Sequence, residues 1–352
     1  MPRLALGLLL VLTFAVPAAA QQPGFGERVE VEAVLIDVIV TDSAGNQILG
    51  LTKDDLVVRE NGVLQTIDSV DYITSRRLLT GREENLPFSV EHVKEERFLI
   101  FFFDKPEGGA LFQHLARARA AVNRFIDNDM GTRDMVAIAG HDVRLKVFSD
   151  FTSDKQQLKR ALREAALFSL GETKPPAPNG PSILRDIDQA SMMSGSGTVY
   201  QGITVLAEAL RKIRGRKNLV VFSPGILEPG ETVRDGMILN TSRFYEPMVR
   251  ALNASNVSVY AANLLPNQDS SPVYHQTLER MTAETNGEYF RYAVSFDPVL
   301  AQVEKATGGY YLLTYRTQKP RGARGYQKVE VSISNPEFRV KARPGYLYGE
   351  TN

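Results

Sequence analysis

The 352-residue chain has no cysteine, no tryptophan, only four histidines, and no net charge, its 41 basic side chains balancing 41 acidic ones. Without cysteine it has no disulfide, no thiolate zinc site and no cysteine nucleophile. Without an excess of positive charge it is a poor general nucleic-acid binder, because that affinity rests on neutralising phosphates. His92, His114, His141 and His275 show no i, i+4 pairing and no zinc-protease motif. There is no Walker A loop, and no Gly-x-Ser-x-Gly elbow, since Ser196 has Ser194 two places before it. Beyond residue 20 no run approaches the roughly 18 apolar residues of a membrane-spanning helix. What remains is ordinary for folded protein, 43% hydrophobic and 23% charged, which excludes a largely disordered chain. At about 100–200 residues per domain, the length fits two domains.

The first twenty residues read as an address. Arg3 precedes an apolar run, Leu4 to Val16, and Ala18-Ala19-Ala20 offers a small-residue cleavage site. The run is too short to span a bilayer of about 30 Å. The expectation is a signal peptide over residues 1–20, cleaved after Ala20. The mature chain is then secreted or periplasmic and carries no transmembrane segment. The alternative is an uncleaved anchor; a lipoprotein anchor is excluded by the missing cysteine.

Three kinds of segment follow. From Arg28 to Ile73, Val29, Val31, Val34, Ile36, Val38 and Val40 recur with a period near two, the mark of half-buried strands. Asn61-Gly62 between Leu56–Glu60 and Val63–Ile67 signals a hairpin, because both residues tolerate positive φ. Residues 74–96 are densely charged and read as a surface linker, its core at 81–96. From Arg97 strands alternate with helices. Phe98–Phe103 is continuously apolar, as expected of a strand buried on both faces. Leu111, Leu115, Ala118, Val122 and Phe125 mark an amphipathic helix. Met135–Ala139 and Val143–Phe148 read as strands, and Ser153 with Gln156 as a capping box. A loop over 168–197, rich in Gly, Pro and Ser, includes a short helical stretch near Ser182–Met192. Helices or strands follow at Val199–Ile213, Leu219–Phe222, 245–254, Val257–Ala262, 274–285 and from Asp297 to Gly308. After Gly309 strands return at Tyr310–Tyr315, Gln327–Ser334 and Phe338–Ala342. Such alternation implies a mainly parallel sheet covered on both faces. Neither terminal set of strands makes a stable domain alone. The economical arrangement pairs them into one β-sandwich with the α/β domain inserted between; two separate appendages are the alternative.

Several stretches carry a family resemblance. Phe98–Phe103 ending in Asp104, Gly195-Ser-Gly-Thr198 opening a helix, and Lys217-Asn-Leu-Val-Val-Phe-Ser-Pro-Gly225 resemble a von Willebrand factor type A (VWA) domain. Gly50-Leu-Thr-Lys-Asp-Asp-Leu-Val-Val-Arg-Glu-Asn-Gly62, Gly308-Gly-Tyr-Tyr-Leu-Leu-Thr-Tyr315 and Lys341-Ala-Arg-Pro-Gly345-Tyr346 are similar to the flanks of VWFA-related proteins typical of Acidobacteria. The resemblance implies a Rossmann-like sheet and a binding role. The expected division is a VWA-like α/β domain over 97–308, a β segment over 21–80, and a second over 309–352, which the strand-pairing argument sets against residues 28–73.

It also implies a place to look for a metal-ion-dependent adhesion site, which uses Asp-x-Ser-x-Ser, a Thr before a later helix, and a second Asp. Asp104 and Thr198 match. Pro106 and Gly108 stand in place of the two serines, and Pro224 in place of the second aspartate, with Ser223 before it. One carboxylate and one hydroxyl are a poor ligand set for a hard divalent ion that wants near-octahedral oxygen. No cofactor is therefore expected; if Mg²⁺ binds, Asp104 and Thr198 hold it, with Glu107 or Ser223 substituting. The same face, Asp104, Glu107, Thr198 and Ser223, is expected to bind a partner without metal, with the proline-bearing loop 168–197 beside it. Asp127-Asn-Asp129-Met-Gly131 lacks the terminal Glu of a calcium loop and reads as a helix end. Tyr310, Tyr311 and Tyr315 read as sandwich packing.

The leading functional expectation is an exported, non-enzymatic binding or adhesion-type module for a protein or cell-envelope partner. A hydrolase using Asp104 with Glu107 and a structural subunit of an envelope assembly are the alternatives.

Overall fold

The computed structural model describes residues 29–74, 93–94, 96–105, 111–169, 180–194, 196–226, 231–234, 237–240, 242–264, 272–291, 293–320 and 325–348. The expected leader, most of the charged linker, Glu107 and residues 170–179 of the long loop lie outside them.

The chain opens with four strands, β1 (Val29–Thr41), β2 (Leu56–Glu60), β3 (Val63–Gln65) and β4 (Ile67–Thr74), then a short β5 (Val93–Lys94). The α/β part runs β6 (Arg97–Asp104), α1 (Leu111–Asn128), β7 (Asp134–His141), β8 (Leu145–Thr152), α2 (Lys155–Leu167), α3 (Ile183–Asp186), α4 (Gln189–Ser194) and α5 (Val199–Ala209). It continues with β9 (Lys217–Ser223), β10 (Glu231–Arg234), β11 (Met237–Asn240), α6 (Ser242–Ala254), β12 (Val257–Asn263), α7 (Pro272–Glu284), β13 (Glu288–Phe290) and α8 (Asp297–Thr307). The last strands are β14 (Gly309–Pro320), β15 (Gly325–Ile333), β16 (Arg339–Ala342) and β17 (Gly345–Tyr348).

The six-stranded sheet has the order β13-β12-β9-β6-β7-β8, parallel except for β8. Its central strands carry long apolar runs because both faces are covered. Phe98, Ile100 and Phe102 join one core with Ile203 and Leu206 of α5 and Met248 of α6. Leu99, Phe101 and Phe103 join the other with Leu115 and Val122 of α1, Leu158 of α2 and Val299 of α8. This is the expected α/β class, a mainly parallel sheet with helices on both faces.

The terminal strands form two facing antiparallel sheets, β16-β1-β14-β4 with the short parallel β5 at its edge, and β17-β15-β2-β3. β1 pairs with β14 from Val29↔Pro320 to Val38↔Tyr311, and β2 pairs with β15. The period-two residues Val34, Ile36, Val38 and Val40 are buried against Leu56, Val58, Tyr311, Leu313 and Tyr315. Asn61 and Gly62 take φ of 48° and 83° and turn β2 into β3, as a tight hairpin requires. In the core the Glu60 carboxylate accepts hydrogen bonds from Tyr315 (2.8 Å), Thr317 (3.0 Å) and Tyr346 (2.9 Å). That satisfaction by hydroxyls is what lets a carboxylate be buried there.

The sandwich abuts the end of the sheet where the parallel strands begin. At β6 and β7, Arg97 pairs with Asp134 in a buried salt bridge, and Arg97 also donates to Thr307 at 3.3 Å. Arg343, between β16 and β17, donates to the Asn253 carbonyl at 2.8 Å and lies 3.7 Å from Asp37 of β1. Thr74 donates to the Gly308 carbonyl at 2.7 Å.

Some expectations need correction. The N-cap of α2 is Asp154, accepting from Gln156 and Gln157, rather than Ser153, because the carboxylate reaches both free amides. The hairpin strand β8 begins at Leu145 and runs to Thr152, two residues later and four further than Val143–Phe148 implied. The helical stretch near 182–192 is two short helices broken at Ile187. Val93–Lys94, inside the expected linker, pairs with Ile73–Thr74. Tyr311 and Tyr315 pack in the sandwich, but Tyr310 faces the other way and lies under the Arg216 guanidinium, 5.8 Å from its ring centre.

Candidate functional site

At the other end of the sheet four of the parallel strands stop on a polar residue. β6 ends on Asp104, β7 on His141, β9 on Ser223 and β12 on Asn263. The register sets Asp104 opposite His141 and Asn263 opposite Ser223. Phe103 is opposite Phe222, so the next residues along, Asp104 and Ser223, stand side by side. The Ser223 hydroxyl donates to Asp104 Oδ2 at 2.7 Å and accepts from the Gly225 amide at 3.1 Å. Two of the expected residues are thus brought together, with Ser223 fully buried and Asp104 half-buried.

Thr198 stands nearby but serves its own helix. Its hydroxyl accepts from the Gln201 amide at 3.2 Å and donates to Gln201 Oε1 at 3.0 Å, while Gln201 Oε1 also accepts from the Thr198 amide at 3.2 Å. This reciprocal capping box opens α5. Glu107 lies outside the described residues.

Two polar groups of this face were missed from sequence. His141 is buried and its Nε2 is 2.8 Å from the Ser196 carbonyl. Burial pushes its pKa below 6.5, against the opposing pull of the Ser196 carbonyl and Asp142. Ser196 in turn accepts from the Leu145 amide at 2.9 Å and donates to the Met192 carbonyl at 2.6 Å, fixing the approach to α5. At the β12 edge, His275 Nδ1 is 2.6 Å from the Tyr289 hydroxyl and 3.3 Å from Asn263 Nδ2. Burial, then Arg291, lowers the His275 pKa. The sequence signal was partial: His141 and Asn263 each end an apolar strand run, but His275 and Tyr289 join them only through the strand order.

A Mg²⁺-like ion needs about six oxygens in near-octahedral array. Pro224 brings no side-chain oxygen, Thr198 is engaged by Gln201, and Asp104 is bonded by Ser223. No group of three or more His, Asp or Glu able to hold a metal occurs among the described residues. This donor set does not fit the ion.

The loop that returns to this face is anchored from below. Asp150 of β8 accepts from Ser182 Oγ (2.5 Å), the Ile183 amide (2.8 Å) and the Phe151 amide (2.8 Å). At the upper corner, burial pulls the Asp142 carboxyl upward, but Lys146 at 2.6 Å and the Val143 amide outweigh it and hold the pKa below 3.8. Lys146 also donates to the Phe168 carbonyl, and Lys105 Nζ lies 5.5 Å from the Phe168 ring centre.

No family model and no curated protein matches this chain. Solved structures do resemble it. An aerotolerance-related membrane protein from Bacteroides fragilis NCTC 9343, crystallised with multiple mutations to serines, is 14% identical with a TM-score of 0.39, over 60% of this chain and 98% of that one. The conserved hypothetical protein BatB from Bacteroides thetaiotaomicron is 13% identical with a TM-score of 0.37, over 59% and 96%. A point mutant of the PilB minor pilin from Streptococcus sanguinis is 8% identical with a TM-score of 0.43, over 77% and 78%. Likeness at this level says nothing about ligand or partner.

Proposed function

We propose that the chain is an exported, non-enzymatic binding module of the VWFA-related acidobacterial type. It engages a protein or cell-envelope partner through the strand-end face around Asp104, Thr198 and Ser223, without a metal ion. One observation carries this reading. The Ser223 hydroxyl is committed to Asp104 and Thr198 to Gln201, so the polar groups are spent on holding the face rigid. Around them Phe112, Val143 and Met193 stay exposed. A preformed polar floor beside exposed apolar side chains offers a partner a fixed shape and apolar area to bury, at little cost in ordering. Export rests on the leader-like run before Gln21.

Photo-reactive side chains at the exposed positions 197 and 326 test it. Position 197 is expected to crosslink a partner in the native envelope fraction, and position 326, on the sandwich, is not. Crosslinks from position 326 alone would move the binding surface to the sandwich. Turnover of esters, glycosides or phosphates that disappears in Glu107→Gln would replace the binding reading with an enzymatic one.

A further inference from the structure

Four of the nine large apolar side chains left exposed among the described residues come together at one corner of the strand-end face. They are Phe112 (40% exposed), Val143 (72%), Leu167 (80%) and Met193 (61%). They come from four elements: the first turn of α1, the β7–β8 turn, the last residue of α2 and the end of α4. A chain of contacts ties them into one patch. Arg119 of α1 reaches the Leu162 carbonyl of the antiparallel α2, which sets the start of α1 beside the end of α2. Phe168, next to Leu167, is held by Lys146, which holds Asp142, the neighbour of Val143. Arg144 Nη1 approaches Met193 Sδ at 3.4 Å.

The charge around this corner is one-sided, in a chain whose total is zero. α1 and α2 together carry seven cations and two carboxylates. The lower cations are used: Arg124 pairs with Asp297, and Lys159 with Asp127. Toward the strand-end face, Arg117, Arg160 and Arg163 are exposed and form no ion pair among the described residues, and exposed Lys105 and Arg144 flank them. Of the carboxylates around them, Asp142 is paired with Lys146 and Asp104 accepts from Ser223, which leaves Glu164, beside Arg163 on α2, against the cations. The side chains project from loop tips and helix ends, while the cavity of about 600 Å³ opens at the opposite end, beside Phe98 and Gly215. Projecting apolar tips within a cationic ring suit a flat, soft, anionic surface better than a peptide, which needs a groove.

We infer that this corner docks onto an anionic phospholipid surface, with Phe112, Val143, Leu167 and Met193 entering the interfacial layer and Lys105, Arg117, Arg144 and Arg163 facing phosphates. This rests on the strand-end face being the binding face, and it names the envelope component as lipid. Residues of this kind add hydrophobic insertion to electrostatic attraction, and both are needed for stable binding.

The test is co-sedimentation of the full chain with vesicles of phosphatidylcholine alone and of phosphatidylcholine with about 30% phosphatidylglycerol. Wild type is expected on the anionic vesicles, with binding falling as salt rises from about 50 to 500 mM. Arg117→Ser with Arg163→Ser is expected to cut partitioning roughly thirty-fold, at about 1 kcal/mol per cation near an anionic leaflet. Val143→Ser with Leu167→Ser is expected to abolish it with an unchanged Tm, since both side chains are exposed. The apolar run Leu4–Val16 is common to every variant, so differences between variants report on the corner. Equal binding by wild type and both double variants, or equal binding to neutral vesicles, would overturn the inference. Retention on immobilised poly-glutamate without vesicle binding would also overturn it, in favour of an acidic protein. Vesicle binding lost with crosslinking from position 197 intact would sink the lipid assignment alone; loss of both would remove the face itself.

Discussion

Lys217 offers the sharpest test of how the two halves of the molecule are joined. It is the first residue of β9, is 2% exposed, and donates from Nζ to the Ile213 carbonyl at 2.6 Å. Burial, then the neighbouring Arg343, pushes its pKa down from 10.5 to about 7, and Asp37 offsets only part of this. Unfolded, the lysine keeps its proton up to 10.5; folded, it releases it near 7. Between those values the unfolded chain binds more protons, so stability rises with pH there, and the penalty is complete below pH 7. At 1.36 kcal/mol per pH unit the penalty is roughly 4–5 kcal/mol. Lys217→Met removes it but strands the Ile213 carbonyl, which costs about 1–3 kcal/mol. The variant is therefore expected to be about 1–4 kcal/mol more stable than wild type at pH 6. Near pH 10 the order reverses, because only the lost hydrogen bond remains. Urea melts of both chains at pH 6, 8 and 10 measure this. A stability difference that does not change with pH, or a variant weaker than wild type at pH 6, would refute the reasoning.

Other expectations follow from individual contacts. Asp134→Ala leaves the buried Arg97 guanidinium without its carboxylate and is expected to cost about 3–5 kcal/mol in a denaturant melt. Gly202→Ala is expected to lower Tm despite the better helix former, because the added Cβ would lie 2.9 Å from His141 Cδ2; the His141 ring resonances should shift with it in NMR. Asp150→Ala is expected to release the Ser182–Ile183 anchor, read as faster amide exchange at 183–186, without changing exchange in β6 or β9.

The legible parts of the sequence were those where burial imposes a period. Phe98–Phe103 reads as a doubly covered strand because six consecutive side chains are buried. Val34 to Val40 reads as half-buried because only alternate residues face the sandwich core. That alternation hid Asp37, which points to the opposite side and meets Arg343. Asp104, Thr198 and Ser223 were named through the motif order, and the strand register brings Asp104 and Ser223 together. His141, Asn263, His275 and Tyr289 were not found, because their association depends on strand order, which brings residues far apart in the chain into one row. The exposed corner was equally illegible: Phe112 and Leu167 fall within helix patterns whose apolar positions are mostly core, and only the packing shows them left outside.

The pairing of β1 with β14 sets an order of assembly. Val34, Ile36 and Val38 wait for partners whose residues begin at 309, almost the whole length of the α/β part later. A nascent chain thus holds a greasy, unpaired ribbon until its last portion is made, and closure over so wide a separation is slow. Chains stopped after residue 308 should clump through that ribbon even when their inner sheet is properly formed.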